Sequence, residues 1–538
     1  MRKLAIILLL AVLAGCEREK PIAPAPPPKS AQTADNTPRD GGRLVRRLEA
    51  DVNTLNPLLQ SSEDERQVLQ YLFDPMIDFN QELEPIPGTI AKWEILDGGR
   101  TYVLHVDPRA KFSDGQPVTA EDVVFTLQTI GGSEAIQFAA WFDALDKAQT
   151  RAVDERTARV VFREARVPQL MSFNIPVVPK HVYGKGKFEK VRAVVGNGPY
   201  VLDRRQNKNI YLKRNANYWR EQPHIENVVF RVIEDDTQAW NALRRGDIHV
   251  ARLNNDAWAR VKDDPQVKER VVFYDRYDLM YNCLPWNLKD PLFQDVRVRR
   301  ALAMAFDLNS VIARLYHGNA KPVSGPFLPD SWAYNHNVQP VTYNPQGAAA
   351  LLASAGWIDS NKDGVLDRDG KAFAFELLVP QGSAVSTYQS QIYQDGLKQL
   401  GVQMSIRTAD GAAFFDRLVK GDFQAAMMAW TLDPDPDPFS MFHSTQLPPG
   451  GLNISRYVSP EADRLLERGR TEFDRARRAE IYHQLHELIA ADQPYLFMMQ
   501  VGMKWGVDRR VQNVKAAKGV GLFLWHPGPF GWWMKEAS

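Results

Sequence analysis

At 538 residues the chain is too long for a single hydrophobic core and should divide into two or three lobes. Its 44% hydrophobic and 24% charged residues are ordinary globular values, and two cysteines cannot build a disulfide framework. Acidic and basic residues nearly cancel at a formal net charge of +1, which argues against a nucleic-acid-binding surface or a polybasic membrane patch.

The N-terminus reads as an export signal. Arg2-Lys3 is a basic start, Leu4 to Leu13 a short apolar segment, and Leu13-Ala14-Gly15-Cys16 closes it. The segment is too short to span a bilayer and carries signal-peptide flanks. Its last four residues resemble the bacterial lipoprotein signal, in which cleavage leaves a lipidated cysteine in first place. Residues 1–15 are therefore expected to be the signal, with Cys16 lipidated and the protein held in the periplasm or cell envelope by lipid alone. Residues 16–40, with Pro21, Pro24, Pro26, Pro27 and Pro28, read as an extended, semi-rigid tether. Cys283 is left as a buried free thiol.

The folded part should begin near Gly41-Gly42, with Arg43 to Glu49 as its first strand. Asn53 to Pro57 reads as a turn, followed by the polar pair Ser61-Ser62 and a helix through Val68, Leu69 and Leu72. Alternation in Thr101 to Val106 predicts a strand with Tyr102, Leu104 and Val106 on one face. Thr119-x-x-Asp122 resembles a capping box that opens a helix through Val123, Val124 and Leu127. Val160 to Phe162 and Val177-Val178 read as short strands. Gly196-Asn197-Gly198-Pro199-Tyr200 lacks the third glycine, the lysine and the helix of a phosphate loop, so it reads as a turn between lobes. Residues 200–233 alternate like sheet strands, and Thr237 to Arg245 is a helix stopped by Gly246.

Asp295 should cap a helix that carries Val298, Leu302 and Phe306, and helical spacing continues through Leu308, Val311, Ile312 and Leu315 to Gly318. Tyr388 to Leu400 predicts another helix, then Val402 to Ile406 a strand. Ser459-Pro460 starts a helix, and Ile481, Leu485, Leu488 and Ile489 mark the last long one. Strands alternating with helices indicate an α/β protein.

Asp359-x-Asn361-x-Asp363-Gly364-x-x-Asp367 imitates a calcium loop, but its twelfth position is Gly370 instead of a bidentate glutamate, so it reads as a turn. His483-x-x-His486-Glu487 is not in the order of a metalloprotease helix and reads as a solvated polar face. The rings of Phe523, Trp525, Phe530, Trp532 and Trp533 suit a core. No nucleophile elbow, Walker loop or zinc-ligand spacing is present in the sequence. The chain therefore reads as a non-enzyme that needs no metal and no cofactor.

The stretch that organises the rest is Gln424 to Phe442. An apolar run, Ala425 to Trp430, has the length of a strand buried on both faces. It leads into Asp433-Pro434, Asp435-Pro436 and Asp437-Pro438. A residue before proline is pushed out of the helical region, so the ribbon is stiff and extended. Residues two apart on such a ribbon point in different directions, so its three carboxylates cannot share one site. They are either a solvated acidic loop or groups in need of a partner: Arg or Lys, a metal, water, or a ligand's ammonium.

Several segments together resemble the large periplasmic solute-binding proteins of peptide ABC importers (extracellular solute-binding protein family five, the oligopeptide/dipeptide/nickel class). Lys111-Phe112-Ser113-Asp114-Gly115-Gln116-Pro117-Val118-Thr119-Ala120-Glu121-Asp122-Val123, preceded by Thr101 to Val106, is similar to that family's signature segment. Gly196 to Tyr200 resembles its domain-crossing turn, Asn282 and Asp295 to Ala305 its entry into the last large domain, and Trp430 to Asp437 its ligand-proximal acidic loop. The resemblance implies a large periplasmic-binding-protein-like fold of three lobes that encloses its ligand at the hinge cleft. Lobe I would combine residues 41–78, 190–275 and 495–538, with lobe II at 79–189 and lobe III at 276–494. It implies a monomeric receptor for short peptides that serves an ABC permease and its ATPase subunits. Matching Trp430-Thr431 to the family's Trp-Thr puts the clamp for the peptide amine at Asp433, with Asp435 in contention because the Asp-Pro unit repeats. Trp430, Asn282, Ser61 and Ser62 complete the candidate ligand-binding residues. A nickel chelate, a sugar or an opine remain alternative ligands, since fold does not fix function; a metal-dependent peptidase is the alternative enzyme reading.

Overall fold

The computed structural model describes residues 37–133, 136, 139–516 and 529–535. The signal segment, Cys16 and most of the tether lie outside them, as do Phe523 and Trp525. Strand Arg43–Leu48 pairs in parallel with Asn227–Val232 and with Val250–Leu253. Parallel strands need long crossovers whose helices cover the sheet, which is why this strand is apolar on its inner face. Leu44, Leu48, Phe230, Val250 and Trp532 pack there against Val68 and Tyr71 of helix Glu63–Leu72. That helix opens at a capping box: Ser62 Oγ accepts from Glu65 N–H, and the Glu65 carboxylate accepts from Ser62 N–H.

A second core gathers around Thr101–Val106, whose Tyr102, Leu104 and Val106 are buried as the alternation predicts. This strand belongs to a four-stranded sheet with Ile90–Leu96, Thr157–Val161 and Arg151–Ala152. The sheet packs on helix Ala120–Ile130, which begins at the Thr119–Asp122 capping box. A third region holds a parallel sheet of Gln403–Ala409, Ala374–Pro380 and Ala425–Ala426 under helices Val296–Met304 and Ala384–Gln399. Beside it a further core collects Tyr281, Phe442, Leu485, Tyr495 and the thiol of Cys283, which is buried and free.

The 14-residue strand Tyr495–Asp508 ties the first and third regions into one sheet. Its first half pairs with Met280–Pro285 and Ala320–Pro322, its second half with Val250–Leu253 and Val271–Tyr277. A ten-stranded sheet results. Gly196 and Gly198 lie against the end of helix Glu63–Leu72, where a Cβ on Gly196 would stand 2.0 Å from Leu72 O. The side chain of Asn197 bonds Asp74 N–H and Thr89 Oγ1 from the same turn.

Several expectations are corrected. Val177-Val178 is a buried loop and not a strand, and Phe162 falls just beyond Thr157–Val161. The helical pattern from Asp295 to Gly318 breaks into Val296–Met304 and Leu308–Tyr316, because Asp307 turns its side chain onto Ser310 N–H and caps a new helix. The run Ala425–Trp430 is not one strand buried on both faces: Ala425–Ala426 and Met428–Thr431 join different sheets, and Ala429 is exposed. His486 is not on a solvated face. It is buried, bonded to Ser324 Oγ and Asn335 N–H, and burial pulls its pKa down to about 4. The calcium-like loop, by contrast, is a turn as its sequence reads: Asp359 accepts from Asp363 and Gly364 N–H and Asp363 from Val365 N–H. No helix among the described residues is long and apolar enough to cross a membrane.

Candidate functional site

A cavity of about 810 Å3 opens where the three regions meet, a size suited to a small organic ligand or short chain segment. Gln81 to Pro85 and Met171 line it from the second region, and Arg276, Tyr277 and Gln500 from the shared sheet. Leu328 to Trp332, Leu432 to Pro436, Arg475 and Arg478 line it from the third. The acidic ribbon enters the wall because Met428–Thr431 pairs with Met280–Pro285 and Leu432 N–H continues that pairing to Leu279 O at 2.7 Å. The prolines then keep the chain extended and deliver the three carboxylates to three different places.

Asp435 is neutralised from within. Its Oδ1 lies 2.6 Å from Nη2 of the buried Arg478, whose guanidinium also stands 4.7 Å above the Trp332 ring. Asp437 pairs with Arg470 at 2.9 Å and caps Phe439 N–H. Asp433 has no cationic or hydrogen-bonding partner for its carboxylate among the described residues. It is open to the cavity but sits deep between the walls. Burial, reinforced by the charges of Asp437 and Asp435, pushes its pKa up to about 6. Burial also raises Asp435, against the pull of Arg478.

On the same cavity wall, Arg276 is buried beside Asp278 at 3.2 Å, and burial lowers its pKa to about 10. Its Nε and Nη1 have no acceptor, and the buried Gln500 Oε1 has no donor. Tyr277 and Trp332 add ring surface to the same wall. The arrangement presents two carboxylates without a cationic partner among the described residues, Asp433 and the exposed Glu82, together with several buried donors and ring faces. No cluster of three metal-ligating side chains occurs among the described residues.

Residues 84–451 match the model of the bacterial extracellular solute-binding proteins, family 5. The chain belongs to that family. Along its length it is similar to the oligopeptide-binding protein AppA of Bacillus subtilis, with 28% identity over 527 residues covering 95% of each chain. The structure of AppA in complex with a nonapeptide superposes with a TM-score of 0.74 at 26% identity, covering 93% of this chain and 100% of that one. The dipeptide-binding protein of Escherichia coli is 26% identical over 461 residues, 79% of this chain and 83% of that one. The α/β family 5 fold expected from the signature segment is therefore observed.

The candidate residues of this family 5 chain fall into separate groups. Asp433 and Asp435 both line the cavity, but only Asp433 lacks a partner. Trp430 is half-buried on the strand that carries the ribbon, packed against the third-region cores, and is not on the cavity wall. Asn282 sits at a bulge where Met280–Pro285 meets Tyr495–Asp508, also off the wall. Ser61 and Ser62 serve the N-terminus of Glu63–Leu72 through Glu65 and do not reach the cavity. Sequence reasoning missed Arg276, Arg478, Trp332 and Gln500. No local signal marks them, since each is an ordinary strand, loop or helix residue until the chain folds.

Proposed function

We propose that this chain is the ligand-binding receptor of an ABC importer that captures short peptides by their free amine and presents them to a membrane permease and its ATPase subunits. The observation that carries the reading is Asp433: a carboxylate on the cavity wall without a partner among the described residues, beside two acids already neutralised by Arg478 and Arg470. A peptide ammonium supplies the missing charge, in a charge-assisted hydrogen bond roughly twice as strong as a neutral one. The similarity to peptide-binding members of family 5 supports the same ligand class. Binding closes the three lobes around the peptide by hinge motion, and the protein acts as a monomer. Calorimetry of a peptide and its N-acetylated twin tests this. Acetylation should cost the unmodified protein about 2–5 kcal/mol, the range for removing one side of a buried charge pair, and little further in Asp433→Ala. Harmless acetylation would sink the peptide-amine reading.

The receptor is held in the cell envelope by lipid on Cys16, a reading supported by the short apolar segment closing in Leu13-Ala14-Gly15-Cys16. One acyl chain binds a bilayer marginally and several together anchor stably. Cys16→Ser should release the protein from membranes and abolish acyl labelling; a variant still acylated would refute the anchor.

A further inference from the structure

The charged groups of the cavity wall do not balance in number of free partners. Each cation on the wall already has an acid: Arg276 has Asp278 at 3.2 Å, Arg478 has Asp435 at 2.6 Å, and Arg475 has Glu84 at 3.4 Å. The wall acids Asp275 and Asp330 are met by Lys504 and Lys321. His336 packs against the ring of Tyr334, centroids 5.0 Å apart. What remains among the described residues is acid: Asp433 without a partner, and Glu82 at an exposed position. An ammonium enclosed here finds a counter-charge. An enclosed carboxylate would face paired cations and unpaired acids, and burying a charge in that setting is costly.

We propose that the cavity selects ligands that enclose a free amine but no free carboxylate: peptides with a blocked carboxyl end, or long enough to leave that end in water, over short zwitterions. This rests on the reading of Asp433 as the amine's partner. Neutral main-chain groups suit the rest of the wall. Arg276 and Arg478 each keep Nε and Nη1 without an acceptor, and Gln500 keeps Oε1 without a donor. A ligand carbonyl or N–H can meet such groups without adding charge, and each buried polar atom gains from a partner.

The test is calorimetry of the full chain near neutral pH with trialanine, trialanine amide and N-acetyl-trialanine amide. The amide should bind roughly tenfold or more tighter than the acid, the size of effect for sparing one enclosed unpaired charge. In Asp435→Asn, which keeps the side chain's shape but leaves Arg478 without its counter-charge, the ratio should move toward the acid by about the same factor. Glu84→Gln, which frees the more exposed Arg475, should move it the same way by less. If trialanine acid binds as tightly as its amide, or tighter, the inference falls while the amine reading stands. If N-acetyl-trialanine amide binds as well as trialanine amide, or no form binds, the amine reading falls and takes this inference with it.

Discussion

Asp433 shows how a site can be charged at some expense to its own protein. Its folded-state pKa of about 6 lies above the ordinary carboxylate value, so the folded state holds a proton that the unfolded chain releases. Its stabilising contribution is therefore full below the unfolded value near 4 and is lost as pH rises through about 6. Asp433→Asn should raise the melting temperature of the ligand-free protein at pH 7.5, modestly because the group is open to the cavity, and should abolish most of the melting shift that peptide produces. Thermal scans with and without peptide check both halves; a variant less stable without ligand would contradict the first. Affinity of the unmodified protein for an amine-bearing peptide should fall as pH drops below about 6, because protonation removes the counter-charge. Binding titrations across pH 5 to 8 would show no such fall if another group held the amine. The sequence placed Asp433 and Asp435 together as candidates. It could not separate them, because the separation is made by Arg478, which is 43 residues from Asp435 along the chain.

At the scale of elements, the turn Gly196-Asn197-Gly198 is fitted to the end of helix Glu63–Leu72. Gly198 N–H bonds Leu72 O at 3.0 Å, and neither glycine has room for a Cβ against the Leu72 backbone. Gly196→Ala must push backbone against backbone and should destabilise the fold by about 1–3 kcal/mol or more, readable as a lowered denaturant midpoint. A midpoint equal to that of the unmodified protein would show that the turn moves freely. Beneath the same turn lies Asp74, whose carboxylate accepts from Tyr218 Oη at 3.1 Å and is raised by burial to about 7, against the pull of Arg220. The sign is that of any raised acid: its contribution is present below about pH 4 and is lost as pH climbs through about 7. Asp74→Asn should therefore flatten the loss of stability between pH 5 and 8. Denaturation curves at several pH values decide it; an unchanged slope would remove Asp74 as its source. The glycines and the turn were legible in the sequence. Their tight seat on Leu72 was not, since it joins segments far apart along the chain.

On the scale of the whole molecule, the second and third regions touch across the cavity mouth. The ring of Phe473 lies over Gly99, where a Cβ would stand 2.0 Å from Cζ, and Glu84 reaches Arg475 at 3.4 Å. The ion pair is half exposed and contributes little. The ring buries apolar surface against Gly99, though Phe473 is itself still 40% exposed. We propose that a peptide held in the cavity leaves as these regions part. Phe473→Ala should therefore speed dissociation by roughly three- to tenfold, in keeping with loss of part of one aromatic contact, with little change in the association rate. Stopped-flow exchange of a labelled peptide reads both rates, and an unchanged dissociation rate would mean that this contact does not hold the closed form.

The sequence by itself determined what depends on neighbours along the chain. The strand Thr101–Val106, the capping boxes at Ser62 and Thr119, the glycine stop at Gly246 and the rigid Asp-Pro ribbon were all readable, because alternation, capping and proline sterics act within a few residues. Tertiary structure decided what depends on distant partners. Strand Tyr495–Asp508 belongs to two regions at once only because Met280–Pro285 and Val271–Tyr277 meet it from either end. His486 became a core residue because Ser324 and Asn335 came to satisfy its ring. The separation of three chemically identical aspartates fell the same way: two met arginines from helices far along the chain, and the one that met none among the described residues is the one we propose for a ligand.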